Sequence, residues 1–382
     1  MKVIFEKEKL LSALIPAAAI APNRNTNYIL ECILFDCDTD EENKCRLTAY
    51  DMEKGLRTTV DCEIIEKGTF AINSQNILQV VRSMPDGEIL IEVGDNGRAK
   101  ISNGATSFEI GASRGDNYPA LPLLSGDRNY KLPQFIFRSI INKTLFALSS
   151  ADQGKAFSGV FIKIEGGVMT AVGCDRNMLA VAEYDSGENM DEVKMIVPGR
   201  ILQEILRCVK DSEDEMAISV ARKHVIFNID GFTYFSRLIE DEYFNYGKIL
   251  AFPTNTDIYI NCTAFREAVE RASIVTEDKL GGKSKNSLIL NYKKDKIEIS
   301  SNSANGSIFD EIPAASDDLD GEMLFKYNCR YILNVLRACE ETETVKISLS
   351  GPTMGMKITS GDSDDKKEVG YIFYVMPMSN VK

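Results

Sequence analysis

The 382-residue chain carries 44 Lys and Arg residues against 57 Asp and Glu residues, which gives a formal net charge of −13. A hydrophobic content of 44% and a charged content of 26% exclude a disordered or collagen-like chain and predict a soluble globular protein of two or three domains. The acidic balance argues against a general nucleic-acid binder, because such proteins usually carry net positive charge. Net charge does not say, however, where the positive residues lie.

The first third of the chain predicts two helices that alternate with strands. Residues 5–21 place apolar side chains at helical spacing and end before Pro22. Strands follow up to about residue 72, and a second helix begins there with Asn73 or Ser74 as its N-cap. Residues 89–93 then alternate apolar and polar side chains, which predicts the first strand of a hairpin.

The other two thirds repeat this order of elements. In the middle third we predict helices over residues 137–149 and 198–209, with strands between them and a hairpin after them. In the last third we predict helices over residues 262–275 and 328–338 and an apolar strand over residues 371–375. Each third therefore has two helices and about eight strands.

A short segment of the second helix recurs in every third. Residues 77–82 read ILQVVR, residues 332–337 read ILNVLR, and residues 202–207 read the looser LQEILR. Because the copies lie at nearly equal intervals, we predict three repeats of one α+β domain in which two helices pack on antiparallel sheets. The predicted domains are residues 1–127, 128–254 and 255–382.

The sequence contains no pattern typical of catalysis or metal binding. His224 is the only histidine, and without a serine or cysteine signature near it a structural or exposed role outweighs a catalytic one. The nine cysteines form no C-x-x-C pair, which predicts reduced thiols. We therefore predict a non-enzymatic protein with no catalytic residues, no metal and no cofactor.

The N-terminal sequence and the apolar runs predict a cytoplasmic location. Residues 6–9 place four charges where the apolar region of a signal peptide would be. No run of the chain approaches the roughly 18 apolar residues that a membrane span requires.

A stripe of polar and basic side chains runs along each repeat helix, opposite its apolar face. The stripes are Gln75, Gln79 and Arg82 in the first copy, Arg200, Gln203, Arg207 and Lys210 in the second, and Arg330, Asn334 and Arg337 in the third. An ordinary solvated helix face explains any single stripe. Recurrence in three copies favours a surface that holds a polyanion while the acidic remainder of the chain repels it.

Several stretches resemble the bacterial DNA polymerase III beta subunit family, the sliding clamps, along nearly the whole chain. They are LTAYDM at residues 47–52, RSMPDG at 82–87, FEI at 108–110, DNYP at 116–119 and YVMPM at 374–378. The resemblance implies a head-to-tail homodimer of three-domain subunits, in which six domains form a closed ring around duplex DNA and tether the polymerase. Helices line the hole of such a ring, and cyclic two-fold symmetry removes free sheet edges.

The stripes and the resemblance together predict three groups of residues. The DNA-facing group is Arg24, Gln79, Arg82, Arg138, Lys143, Arg200, Gln203, Arg207, Lys210, Arg266, Arg330, Asn334 and Arg337. The dimer interface joins Phe108 of one subunit to Ile274 and Val275 of the other, with an internal core position as the alternative for each. The pocket for partner peptides, between the second and third domains, is Phe157, Cys174, Asn177, Met178, Leu179, Phe244, Lys248, Ile249, Tyr374, Val375, Met376, Pro377 and Met378.

The chain departs from the family pattern in this pocket. The usual TDGHRLA is CDRNMLA at residues 174–180, so Arg176 replaces a glycine and Met178 replaces an arginine. The usual FPDY is YFNY at residues 243–246, and the chain ends SNVK at residues 379–382 rather than at an arginine and a leucine. We expect the pocket to persist with an altered peptide preference.

The resulting prediction is a DNA polymerase processivity factor. Its partners are duplex DNA, held topologically without sequence preference, a second copy of the chain, and polymerase, clamp-loader and repair proteins that dock through short linear peptides. No membrane partner is predicted. The competing interpretation is a protein-binding scaffold, a paralogue of the clamp that never encircles DNA.

Overall fold

The computed structural model describes residues 1–94, 96–122, 125–149, 154–188, 190–276, 287–303, 306–339, 341–351, 354–362 and 368–378. Within these residues the α-helices are α1 (Lys7–Ile20), α2 (Ser74–Ser83), α3 (Gln134–Leu145), α4 (Gly199–Leu206), α5 (Gly247–Leu250), α6 (Cys262–Thr276) and α7 (Cys329–Ala338).

The strands of the first third are β1 (Lys2–Glu6), β2 (Cys32–Asp36), β3 (Lys44–Tyr50), β4 (Lys54–Glu66), β5 (Thr69–Asn73), β6 (Glu88–Val93), β7 (Arg98–Asn103) and β8 (Thr106–Arg114). Those of the middle third are β9 (Arg128–Pro133), β10 (Gly159–Glu165), β11 (Val168–Cys174), β12 (Met178–Asp185), β13 (Val193–Pro198), β14 (Glu215–Val220), β15 (His224–Ile229) and β16 (Phe232–Arg237). Those of the last third are β17 (Thr256–Asn261), β18 (Ser287–Tyr292), β19 (Lys296–Ser303), β20 (Gly306–Pro313), β21 (Met323–Asn328), β22 (Thr344–Leu349), β23 (Met356–Ser360) and β24 (Val369–Val375).

All six predicted helices are present, and their ends differ from the predicted ones by a few residues. α1 begins at Lys7 rather than at Phe5, because Phe5 lies in β1 opposite Ile89 of β6. The predicted N-cap is confirmed for α2, where the Asn73 side chain accepts a hydrogen bond from the Asn76 N–H at 3.1 Å. The single-turn helix α5 has no counterpart among the predicted elements.

Residues 1–135 and 200–238 form one compact unit. Its twelve-stranded sheet has the order β1-β6-β7-β8-β5-β2-β3-β4-β16-β15-β14-β9, and β1 also pairs with β4, so the first eight strands close on themselves. In this unit α1 packs against α2, β3 and β4. The core beneath includes the fully buried side chains of Phe5, Leu14 and Phe35.

Residues 136–199 and 239–382 form the second compact unit. It contains an eight-stranded sheet of order β13-β10-β11-β12-β24-β23-β22-β17 and a four-stranded sheet of order β20-β19-β18-β21. α6 packs against α7, β19 and β20. The core of this unit includes the buried side chains of Phe265, Tyr292, Tyr327 and Phe373.

Sheets continue from one third of the chain into the next inside these units. β16 of the middle third pairs with β4 of the first, with Phe232 opposite Thr58. β12 of the middle third pairs with β24 of the last, with Leu179 opposite Tyr374. Each third contributes eight described strands and two helices longer than one turn, which confirms the predicted α+β class.

Candidate functional site

The first repeat helix, α2, has its apolar residues buried on one face and its polar stripe on the other, as its helical spacing predicts. Ile77 and Val81 are fully buried, whereas Gln79 and Arg82 are exposed. Gln75 is half-buried because its side-chain amide donates a hydrogen bond of 3.3 Å to the Ala18 carbonyl of α1. Of the three predicted stripe residues of α2, Gln79 and Arg82 are therefore the exposed ones.

The second repeat helix, α4, and the turn after it carry the exposed residues Arg200, Gln203, Arg207 and Lys210. Two of these cations have carboxylate partners. The Arg207 guanidinium lies 2.5 Å from the Glu204 carboxylate, and the Lys210 amine lies 2.7 Å from the Asp230 carboxylate. These exposed ion pairs reduce the local positive charge and contribute little to stability.

The third repeat helix, α7, repeats the pattern of α2. The side chain of Asn328 caps its first turn by accepting a hydrogen bond from the Arg330 N–H at 3.0 Å. Arg330 and Arg337 are exposed, and Asn334 between them is half-buried. The Arg337 guanidinium lies 3.4 Å from the Glu270 carboxylate of α6.

The remaining residues predicted to face DNA differ in exposure. Arg24 is exposed after the end of α1, and Arg138 of α3 and Arg266 of α6 are half-buried. Lys143 is buried, and its amine donates a hydrogen bond to Ser139 at 2.7 Å and lies 3.4 Å from Glu341. The position of Lys143 gives no support to a contact with phosphate.

The turn between β11 and β12 brings several predicted pocket residues together. The Asp175 carboxylate accepts hydrogen bonds from the backbone N–H groups of Asn177 (3.0 Å) and Met178 (2.8 Å). Between them Arg176 has a backbone φ of 73°, a left-handed conformation that costs most side chains roughly 1–2 kcal/mol. This conformation explains why glycine is usual at this position in the family.

Five half-buried rings lie beside this turn, and we call them the aromatic patch: Phe157, Phe161, Tyr243, Phe244 and Tyr246. The rings of Phe161 and Tyr243 stack at 4.8 Å, and Phe157 lies 5.6 Å from Phe244. The patch rests on the buried side chains of Val172, Cys174, Leu179, Val181 and Tyr374. Burial raises the pKa of the Cys174 thiol to about 11, so this side chain is neutral at physiological pH.

The segment after β24 is attached to this region through its backbone. The Met376 N–H donates to the Asn177 carbonyl at 2.8 Å, and the Met378 N–H donates to the Lys326 carbonyl at 2.7 Å. Gly355 allows a close approach here, because a Cβ at that position would lie 2.6 Å from the Tyr374 ring. Residues 379–382, noted above for their departure from the family, lie outside the described residues.

The structure thus assembles most of the predicted pocket within one compact unit. Ile249 and Leu250 of α5 pack against the same buried side chains as the patch, whereas Lys248 is exposed on the same turn. Val375 is buried, and Pro377 is half-buried. Phe161, Leu250 and both patch tyrosines, Tyr243 and Tyr246, are absent from the predicted set of pocket residues. The aromatic run YFNY at residues 243–246 was the available signal for both tyrosines.

The residues predicted for the dimer interface are at the surface of their units. Phe108 of β8 is 38% exposed, Ile274 near the end of α6 is 79% exposed, and Val275 is half-buried. Phe309, which was not predicted, is 65% exposed on β20. Among the described strands β20 pairs with β19 alone and is an edge strand, so its outer backbone groups have no strand partner there.

The described part of the chain was predicted to hold neither a metal site nor a histidine-based catalytic site. No group of three His, Cys, Asp or Glu side chains there is arranged to hold a metal ion. Burial, followed by the charges of Arg237 and Lys223, lowers the pKa of His224. Among the same residues, no helix is long and apolar enough to cross a membrane.

Three family models match consecutive parts of the chain. They are the N-terminal, central and C-terminal domains of the DNA polymerase III beta subunit, and they match residues 1–122, 131–245 and 250–378. A beta sliding clamp from Staphylococcus epidermidis is 27% identical over 358 residues, which are 91% of this chain and 92% of the relative. A beta sliding clamp from Vibrio cholerae is 23% identical and covers 99% of this chain and 100% of its own.

Solved structures agree with the sequence relatives. A chain described as a DNA polymerase III beta subunit from Eubacterium rectale superposes with a TM-score of 0.90 at 27% identity and covers 99% of this chain and 100% of its own. The sliding clamp of Pseudomonas aeruginosa bound to griselimycin has the same fold, with a TM-score of 0.88 at 23% identity and 99% coverage of both chains. With three domain models that together span nearly its whole length, the chain belongs to the DNA polymerase III beta subunit family, the sliding clamps.

Proposed function

We propose that this protein is a DNA polymerase processivity factor, a head-to-tail dimer that encircles duplex DNA and tethers the replicative polymerase. The observation that carries the proposal is the threefold repeat of a clamp domain whose repeat helices expose basic residues, in a chain of net charge −13. We propose the domain boundaries at residues 1–127, 128–254 and 255–382. No catalytic step is part of this function, and its location is the cytoplasm.

The contact with DNA is electrostatic and weak in this proposal. Arg82, Arg200 and Arg330 are exposed, and Arg207 and Arg337 exchange their carboxylate partners for phosphates when DNA is present. A contact with few phosphates depends only weakly on salt and allows sliding. Retention on DNA then comes from closure of the ring rather than from affinity.

The ring closes through the surface of Phe108 on one subunit and that of Ile274, Val275 and Phe309 on the other. These side chains are apolar, and three of the four are exposed by more than a third. The free edge of β20 supplies backbone groups for pairing across the interface. A dimer with cyclic symmetry contains two such head-to-tail contacts, so the edge strand of each subunit is paired.

Partners dock on the aromatic patch and on the segment Met376–Met378. Aromatic and methionine side chains adapt to several apolar sequences, which suits a surface shared by polymerase, loader and repair proteins. The patch is half-buried in the unpartnered chain, so a short peptide covers apolar area that is now in contact with water.

Retention on DNA tests the proposal directly. After loading, the protein should remain on closed circular DNA and leave it once the circle is cut. A matched variant with Ile274→Asp and Phe309→Asp should be a monomer that is not retained on either form. Equal retention of the unaltered protein on circular and cut DNA would contradict a topological hold.

The competing function is a scaffold that binds proteins without encircling DNA. No observation in the described residues favours it over the clamp. Native mass spectrometry distinguishes the two, since a stable monomer that no clamp loader places on DNA would support the scaffold.

A further inference from the structure

The turn at Arg176 keeps a strained arginine beside the partner surface. Asp175 orders this turn by accepting two backbone hydrogen bonds, and the Asp175 N–H in turn donates to the Met178 carbonyl at 3.1 Å. Arg176 is exposed and has a φ of 73°, where glycine would be free of strain. Strained backbone conformations of this kind are concentrated at functional sites.

The guanidinium of Arg176 lies over the aromatic patch. Its central carbon is 5.9 Å from the centre of the Phe157 ring, within the range of a cation–π contact. The same ring is 5.6 Å from Phe244 and 6.3 Å from Tyr243. The contact holds a positive charge at the edge of the patch.

Other charges near the patch are arranged unevenly. Lys155 is exposed on the short helix that carries Phe157, and Lys248 is exposed on the turn that carries Ile249. The acidic residues Asp241 and Glu242 precede Tyr243 and are exposed as well. Two cations of the described residues act on patch rings: Arg176 lies over Phe157, and the charge of Lys163 on β10 acts on Tyr246. Lys163 forms an ion pair with Glu165, and the Arg176 guanidinium supplies positive charge at the Phe157 edge of the patch.

We propose that Arg176 is a specificity-determining residue that selects partner peptides with an Asp or Glu next to the apolar residues that cover the patch. The proposal rests on the function proposed above for this surface. A guanidinium binds a carboxylate through two parallel N–H···O bonds, and such pairs are stronger than neutral hydrogen bonds. The neighbouring ring and the bound peptide shield this pair from water, which strengthens it beyond a fully exposed pair.

A series of synthetic peptide pairs provides the test. The two peptides of a pair contain the same leucine and phenylalanine residues and differ only in having Asp or Asn at one position, and this position changes from one pair to the next. Their affinities for the full-length protein are measured by fluorescence anisotropy at low and high salt. The variant Arg176→Asn removes the charge but retains a residue that tolerates a positive φ, and Lys155→Ala removes a nearby exposed cation outside the predicted pocket as a control.

For the unaltered protein we expect the best Asp peptide to bind about 5- to 10-fold more tightly than its Asn counterpart at low salt, and less so at high salt. The difference should disappear in Arg176→Asn and persist in Lys155→Ala. Equal affinities for all Asp and Asn pairs would overturn the role of Arg176 and leave the proposed partner surface intact. Failure of every peptide to bind would contradict the partner surface itself, and the role of Arg176 with it.

Discussion

The repeat helices and the aromatic patch are built in opposite ways. α2 and α7 each occupy ten consecutive residues, and both have an asparagine cap, buried residues at matching positions and an arginine in the last turn. The aromatic patch and the buried side chains beneath it come instead from four separate parts of the chain, at residues 157–161, 172–181, 243–246 and 374. A helix face follows from local period, whereas the patch exists only because β12 pairs with β24 and brings distant segments together.

The two regions should therefore respond differently to amino-acid substitution. The exposed side of a repeat helix tolerates substitution because the buried side maintains the fold. The patch has no such separation, since its rings contact both the buried side chains beneath them and the solvent. In the repeat helices, substitutions should therefore change stability and DNA contact independently. In the patch, a change in the backbone should also change peptide binding.

The largest effect is expected from deleting residues 376–382. The deletion removes the Met376 and Met378 backbone hydrogen bonds to Asn177 and Lys326 but leaves β24 in place. Binding of a fluorescent polymerase peptide should fall by roughly 100-fold or more, because the peptide loses one wall of its surface. Native mass should still show the dimer, and unchanged peptide affinity would refute the assignment of this surface.

Substitution in the buried stripe of the repeat helices should have the next largest effect. Ile77 and Ile332 are fully buried, so Ile77→Ala and Ile332→Ala each leave a cavity. Each substitution should lower the free energy of unfolding by about 3 kcal/mol. Gln79→Ala, on the exposed face, should change it by less than about 0.5 kcal/mol. Denaturant unfolding of the three variants measures this, and equal losses would show that the two faces are not separate.

Removal of exposed arginines should change DNA contact with little change in stability. For Arg330→Ala combined with Arg337→Ala we expect the slope of log affinity against log salt to fall by about one to two. Arg82→Ala alone should lower this slope less, because the stripe of α2 has fewer cations than that of α7. Lys143→Ala provides the contrast, since the Lys143 amine is buried and donates a hydrogen bond to Ser139. That variant should lose stability and keep the salt slope, and a fall in slope there would place Lys143 at the DNA.

The smallest effect should come from the tyrosines of β24. Tyr374 has a buried hydroxyl with no hydrogen-bond partner among the described residues, so Tyr374→Phe should leave stability unchanged or raise it by up to about 1 kcal/mol. The hydroxyl of Tyr371 is 2.5 Å from that of Thr342, so the matched variant Tyr371→Phe should lose about 1 kcal/mol. Equal losses would indicate that Tyr374 has a partner in solution, such as a buried water.

The accuracy of the sequence-based predictions varied with the range of the interactions involved. The burial of Ile77 and Val81 and the cap at Asn73 followed from spacing and residue type alone. The burial of Lys143 did not, because its partner Glu341 lies almost 200 positions further along the chain. Lysine at a polar helix position is typically exposed, and only the packing of a distant segment reverses that expectation.

The amino-acid sequence by itself determined the threefold repeat, the α+β class, the polarity of each repeat helix and the family to which the chain belongs. Those features depend on periodic or contiguous residues, whose hydrophobic pattern can be recognised from the sequence alone. Only the tertiary structure decided which rings form the aromatic patch, which cations have carboxylate partners, and that Arg176 lies over Phe157 in a left-handed turn. The physical reason is that such contacts depend on strand pairing between distant segments, and no local pattern encodes their distances.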